Sequence, residues 1–359
     1  MTTQIVTGCQ RATIARATKP GTGDFCILHG PPADALEARW RACLANSDFP
    51  THYTAPEFFL EPAFRKRRPF AVLSMTGEEV TGVLTGINDG ERVQSGLSVR
   101  PQIALSRNAD KACAMADLAA GLVAEAKETK LVDLFVWSDM EALVPARFRQ
   151  RRYDGVVMLD LSRGPDALFR NFSENKRTNI KKAIKYGVSV EPATSRDDVA
   201  AYYAICVDWS RRKALPIASE DEFHQSFALT ANRLLLLARH QGKIIAGLVI
   251  RYVARGVMEY AANSSLESAL RLRPNDLLHW RAIEWGCREG ITKYSLGGTH
   301  LFLRKFGGEI VPTTRHRLDL SLFRRFEIGD WLVGQIEQAR PFVPARLITL
   351  VRRLGDFVR

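Results

Sequence analysis

Apolar positions in this chain fall into short runs bounded by turn residues, and the runs occur twice in the same order. Residues 69–86, PFAVLSMTGEEVTGVLTG, give an apolar run, a turn around Thr76-Gly77-Glu78, and a second apolar run. Residues 233–250, RLLLLARHQGKIIAGLVI, repeat that layout with the turn at Gln241-Gly242-Lys243. The runs Phe70–Leu73 and Leu234–Leu237 are too short for helices and are punctuated by turn signals, so each predicts a strand. Gly82 and Gly247 occupy the matching place in each second strand.

Both units then continue alike. The first predicts a strand around Val93–Val99, Pro101, a helix over Asp110–Glu128 and a strand over Leu131–Trp137. The second predicts a strand over Val257–Ala262, then Pro274, a helix over Asp276–Glu289 stopped by Gly290, and a strand over Thr292–Leu296. The two copies lie roughly 165 residues apart, a domain-sized period rather than that of a solenoid. The expected fold is mixed α/β: two tandem domains, each a central mixed sheet flanked by helices, with a C-terminal helical segment. The turn-like Arg163-Gly164-Pro165-Asp166 puts the boundaries at 1–163, 164–322 and a tail at 323–359.

A length of 359 residues suits two cores rather than one. The composition is that of a soluble globular protein. No apolar run is long enough to span a bilayer. Met1–Gly23 lacks the apolar stretch of a secretory signal, so the expected location is the cytoplasm. Six scattered cysteines with no CxxC pair argue against a zinc site or a disulfide framework, and Cys206 and Cys287 read as small buried apolar residues. No metal is expected. The net charge of +12 favours an anionic partner: a diphosphate, a tRNA or an anionic membrane face.

Three motifs carry candidate chemistry. Residues 171–187, NFSENKRTNIKKAIKYG, place Lys176, Arg177, Lys181, Lys182 and Lys185 on one helix with only Glu174 to offset them, which fits a phosphate partner as well as a solvated face. Residues 259–285 run from a strand end bearing Tyr260 and Asn263 into a helix opened by Asn275-Asp276. A loop-fed helix N-terminus presents unpaired N–H groups to an anion, although Asn275 also suits a plain N-cap. The third is Tyr294-Ser295-Leu296-Gly297-Gly298, followed by Leu303-Arg304-Lys305-Phe306-Gly307-Gly308. Glycines after a strand let the backbone approach a ligand, and Arg304 and Lys305 are suited to a phosphate or a developing oxyanion.

In this order and spacing the segments RTNIKKAIKYGV, LLLLARHQGKIIAGLV, YAANSS…RPNDLLHWRAIEWGCREGI and YSLGG…LRKFGG resemble the FemABX-like branch of the GNAT superfamily, over about Phe172–Leu320. The resemblance implies an acyltransferase in which Lys305 closes the acyl-transfer site and Arg177 and Lys181 contact an anion. Two features depart from it: Ser295 stands where many relatives have an acid, and no long helical insertion like that of the staphylococcal tRNA-binding members is present. A clean loop for a CoA pyrophosphate is also missing from both units.

Transfer of this kind is direct attack by a neutral amine on a thioester or ester carbonyl, so positioning and oxyanion stabilisation are the main tasks. Lys305 is the expected charge stabiliser, with His300 as a candidate base; His279 is a weaker one. The co-substrate expected is acyl-CoA, with aminoacyl-tRNA as the alternative and no tightly bound cofactor. The expected acceptor is a small-molecule, nucleotide-linked or lipid-linked amine. A non-catalytic scaffold for polyanions or membranes is the competing class. The first unit, with LFVWSD and no following Gly-Gly or basic pair, reads as binding or structural. Over 345–359 apolar Leu347, Leu350, Val351, Leu354 and Val358 oppose Arg352, Arg353 and Arg359. That pattern predicts a basic amphipathic helix suited to the inner membrane face or to the protein's own surface.

Overall fold

A computed structural model describes residues 3–5, 12–15, 24–97, 99–152, 155–326 and 328. The tail at 345–359 lies outside the described residues. The first unit contains β1 (Thr3–Ile5), β2 (Ala12–Ala15), β3 (Asp24–Leu28), α1 (Asp34–Ala45), β4 (Pro69–Thr76), β5 (Glu79–Asn88), β6 (Arg92–Ser95), β7 (Ile103–Leu105), α2 (Lys111–Glu125), β8 (Leu131–Trp137) and β9 (Arg149–Arg152). Three 3-10 turns between His52 and Arg67 join α1 to β4. The chain continues with β10 (Val156–Asp160), α3 (Pro165–Asn171), α4 (Glu174–Lys185), β11 (Ser189–Pro192), α5 (Arg196–Lys213), α6 (Glu220–Ala228), β12 (Arg233–His240), β13 (Lys243–Tyr252) and β14 (Val257–Ser265). It closes with α7 (Pro274–Arg288), β15 (Lys293–Ser295), α8 (Leu301–Arg304), β16 (Glu309–Val311) and β17 (Thr313–Asp319).

The predicted strand pairs and helices are present, with shifted ends. The β12–β13 turn has both central residues, Gln241 and Gly242, at positive φ, the geometry whose twist matches a tight hairpin. The strand expected over Val93–Val99 stops at Ser95, because the chain breaks away before resuming as β7 against β5. The helix α2 starts after Asp110, whose carboxylate accepts from the Ala112 and Cys113 amides.

Two mixed sheets form, and they exchange strands. The first sheet runs β1-β2-β3-β4-β5-β6-β8-β17-β9, with β7 beside β5; the second runs β11-β12-β13-β14-β15-β10-β16. Strand β10, from the end of the first unit, lies between β15 and β16 of the second sheet. Strand β17, from the end of the second unit, lies between β8 and β9 of the first. The two sheets are therefore interlocked across the 163/164 connection.

The burial pattern explains why these strands are shared. All of Val156, Val157, Met158 and Leu159 are buried, with Val157 and Leu159 facing the core of the second unit and Val156 and Met158 that of the first. A strand buried on both faces reads as a continuous apolar run. Strand β17 is instead polar, and Arg315 and Arg317 both hydrogen-bond the buried Asp133 of β8. A buried carboxylate is tolerated when paired in this way.

The units also meet through a buried ionic cluster. Glu61 accepts from Arg233 at 2.8 Å and Arg251 at 3.1 Å, while His52 Nε2 lies 2.7 Å away. Burial drives the His52 pKa down to about 4. Burial would raise that of Glu61, but the His52 hydrogen bond and the two arginine charges outweigh it and hold it at about 2. Among the described residues no helix is long and apolar enough to cross a membrane.

Candidate functional site

The site forms where β14 and β15 part. They pair in parallel over Val257–Glu259 and Lys293–Ser295. Strand β15 then ends, and the chain turns at Gly297 (φ 74°) toward α8. Strand β14 has an irregularity in its pairing with β13 between Tyr260 and Ala262 and continues to Ser265 alongside β13 only. A bulge of this kind re-aims side chains and ends pairing.

On one face, α4, α7 and α8 converge around a buried lysine. Lys176 is 1 % exposed, and its Nζ donates to Asp276 Oδ1 at 2.6 Å. It also sits 3.1 Å from the Phe302 ring centre and 4.1 Å from that of Phe306. Burial lowers its pKa to about 8 against the opposing pull of Asp276, and the charge of Lys305 lowers it further. Asn179 donates to the other oxygen of Asp276 at 3.3 Å. Next to this group His279 Nδ1 lies 2.9 Å from the Tyr294 hydroxyl, and its ring packs on Tyr260, Phe302 and Phe306. Burial, reinforced by the Lys176 charge, takes the His279 pKa to about 3 and keeps the ring neutral.

On strand β14 the neighbouring Glu259 is 1 % exposed and pairs with Ser295 across the strands. Burial raises its pKa to about 7, although Arg100 and Arg251 pull it down. Its Oε2 and the Ser295 hydroxyl are buried without a hydrogen-bond partner. A buried carboxyl that titrates near neutrality is equipped to take or give a proton.

The residues expected from sequence fall into three groups. Tyr260, Gly297, Gly298 and Lys305 lie at this parting or beside Lys176. Lys305 is half-buried at the end of α8, and its carbonyl accepts from the Ser173 amide. His300 and Arg304 are exposed on the one-turn helix α8, with the His300 carbonyl serving as its first acceptor. Asn263 donates to Gly247 O at 2.8 Å and so braces β14 on β13. Arg177 is turned back onto its own chain, donating to the carbonyls of Arg170 and Phe172. Lys181 is exposed and lines a surface hollow of about 260 Å³ with Arg170, Ile184 and Trp280. The helix α7 opens at Pro274 with Arg273 in the capping place, so Asn275 is inside its first turn rather than its cap.

The five cations of α4 do not share one surface, because Lys176 faces inward. Sequence reasoning missed Lys176, Asp276 and Glu259 as a set. The signal available for Glu259 was a carboxylate inside the apolar run Val257-Met258-Glu259-Tyr260. For Lys176 none was available, since it takes the full fold to bring Asp276 across 100 residues.

Residues 170–304, which contain every candidate above except Lys305, match the family model described as an acetyltransferase (GNAT) domain. No curated protein sequence matches the chain significantly. Among solved structures it is similar to FemX, with TM-score 0.60 and 12% identity over 79% of this chain and 96% of that one. It is also similar to the C-terminal domain of a putative lysylphosphatidylglycerol synthetase from Agrobacterium fabrum, with TM-score 0.56 and 12% identity over 84% and 97%. A tandem GNAT protein from the clavulanic acid biosynthesis pathway aligns with TM-score 0.52 and 12% identity over 83% and 98%. Residues 170–304 thus match a GNAT acetyltransferase domain, and the chain as a whole shares the fold of FemX and of the tandem GNAT protein.

Proposed function

We propose that the second unit transfers an activated acyl group from acyl-CoA onto the amine of a small-molecule or cell-envelope precursor, by direct attack at the parting of β14 and β15. The observation that carries this reading is a buried carboxyl with its pKa raised to about 7, Glu259, at the strand gap next to Tyr260, whose ring packs on His279 beside Lys176. An attacking ammonium must first lose a proton, and Glu259 supplies a base matched to that task. Attack then places negative charge on the acyl oxygen, and the ammonium of Lys305 stabilises it. Collapse expels the CoA thiolate with the electron pair of the broken C–S bond, and the thiolate takes up the proton that the nitrogen loses on becoming an amide. The chemistry would take place at the inner face of the membrane when the acceptor is lipid-linked.

Aminoacyl-tRNA is the second donor reading, favoured by the exposed Lys181, Lys182 and Lys185 on α4. The likeness to FemX and to the lysylphosphatidylglycerol synthetase domain lends it further support. A thermal-shift panel of acetyl-CoA, long-chain acyl-CoA, UDP-amino sugars and total tRNA at two salt concentrations separates the readings. A donor at 100 times its Kd raises stability by about 2.7 kcal/mol. A shift with acyl-CoA is expected. A salt-sensitive shift with tRNA alone moves the donor to aminoacyl-tRNA, and silence with every donor overturns the acyltransferase reading for this site.

A further inference from the structure

The parting of β14 and β15 is occupied by a side chain from the other unit. Arg100 lies in the turn between β6 and β7 of the first unit, and it is 13% exposed at the side chain. Its Nη2 donates to the Tyr260 carbonyl in β14, and its Nε lies 3.7 Å from Glu259 Oε1. Gly297 makes room for it: a Cβ built there would stand 1.9 Å from Nη2. The guanidinium thus fills the space that a side chain at position 297 would take.

This placement is built, not incidental. Leu97 and Arg100 exchange both backbone hydrogen bonds at 2.9 Å, closing the turn tightly. Thr313, the first residue of the exchanged strand β17, donates from its hydroxyl to the Val99 carbonyl at 3.0 Å. The strand that the second unit lends to the first sheet therefore anchors the turn that returns an arginine to the second unit. The guanidinium is also under-used, because Nε is buried without a hydrogen bond while Glu259 Oε2 is equally unpaired. A buried donor and acceptor left open beside each other cost stability, and such exceptions in a native fold call for a reason.

We infer that Arg100 is a positioning residue donated by the first unit, holding Glu259 and the Tyr260 carbonyl in register at the parting and keeping the Glu259 carboxylate available to the acceptor amine. This rests on the acyl-transfer reading above. The charges that face Glu259 are Arg100 from the turn and Arg251 from β13, the latter already tied to Glu61 and to the Tyr53 hydroxyl; Ser295 faces it from β15. Among the described residues Glu259 is the carboxylate that Arg100 pairs with, whereas Arg251 is hydrogen-bonded to Glu61, so removal of Arg100 leaves Glu259 with a partner that is shared elsewhere.

The test compares the full-length chain with R100Q and R100K by two readouts. The first is carboxyl 13C NMR of the Glu259 titration, assigned with E259Q, which needs no substrate. The second is the pH profile of kcat/KM with the donor found in the panel. An arginine within 4–6 Å lowers a carboxyl pKa by about 1–3. The titration of Glu259 and the acid limb of the profile should therefore both move to higher pH in R100Q, and R100K should bring the titration most of the way back. R100Q with a fallen rate but an unmoved titration and limb would make Arg100 merely structural and overturn the proposal. A folded R100K whose Glu259 titration stays where R100Q puts it would show that the charge at this position is irrelevant and sink it as well. A titration that moves in R100Q while no variant, nor the parent chain, turns over any donor would leave the Arg100–Glu259 coupling standing and discard acyl transfer instead.

Discussion

The two units share a plan but use their polar groups differently where the central parallel strands part. In the first unit, Gln94 and Asp133 pair across β6 and β8, and Asp133 is bonded by both Arg315 and Arg317. The glycine just past β6, Gly96, is covered by the Phe135 ring, so that a Cβ there would stand 2.3 Å from it. In the second unit it is the space past β15, the counterpart of β8, that is filled, by Arg100 against Gly297, and the acid alongside it is only partly paired. The first unit also leaves Ser95 Oγ and Gln102 Nε2 unpaired nearby, yet both are neutral. The second gap presents Glu259, whose pKa burial raises to about 7. One gap is sealed by an aromatic ring and the other holds an under-satisfied ion pair, and on the proposed reading that difference sets the second unit apart as the one that carries chemistry.

The long helices repeat the contrast. The N-terminus of α2 is closed by Asp110 from its own chain. That of α7 has no side-chain cap, and the acid of its first turn, Asp276, is spent on Lys176 and Asn179 of α4. Gly82 and Gly247 mark matching places as well, but only Gly247 is covered by an aromatic ring, that of Tyr202, whose hydroxyl donates to the Gly247 carbonyl at 3.2 Å.

The difference can be broken most sharply at the buried pair. Asp276→Ala leaves the Lys176 ammonium without its carboxylate and should cost about 3–5 kcal/mol in urea unfolding. Lys176→Met in the same chain should return much of that loss, and a single variant as stable as the parent would mean the pair contributes nothing to the second core. Next in size is Lys305→Ala, which should lower kcat by about 100- to 1,000-fold, in the range of a lost oxyanion donor, with Tm unchanged. Full turnover in that variant would remove Lys305 from the site and blur the line between the units. The smallest effect belongs to the first unit. Asp110→Ala should cost about 1 kcal/mol through the lost α2 cap, about 2–4 °C in Tm, and leave turnover as it was. A matching fall in kcat would show that α2, and not only the Arg100 turn, of the first unit bears on the site.

Much of the fold was legible from the residues because local physics dictates it. Short apolar runs around Gly77 and Gly242, the Leu131–Trp137 strand, and helices bounded by Asp110 and Gly290 follow from periodicity and turn chemistry alone. The third motif likewise pointed to Gly297 and Lys305, since glycines after a strand and a nearby cation leave a local signature. What surrounds Arg177 and Asn275 was not legible, for the opposite reason. Their surroundings, the carbonyls of Arg170 and Phe172 and a helix that opens one residue earlier at Pro274, depend on how the chain turns before them.

The sequence by itself determined two copies of one α/β unit, a basic chain, and a second copy richer in candidate chemistry. Tertiary structure alone decided that β10 and β17 trade sheets, that Lys176 points inward to Asp276, and that Arg100 of one unit sits against Glu259 of the other. The physical reason is range. Hydrophobic period and turn preference act over a few residues, whereas the pairing of buried charges is set by which side chains meet after distant segments pack, and desolvation then fixes how strongly each must be paired.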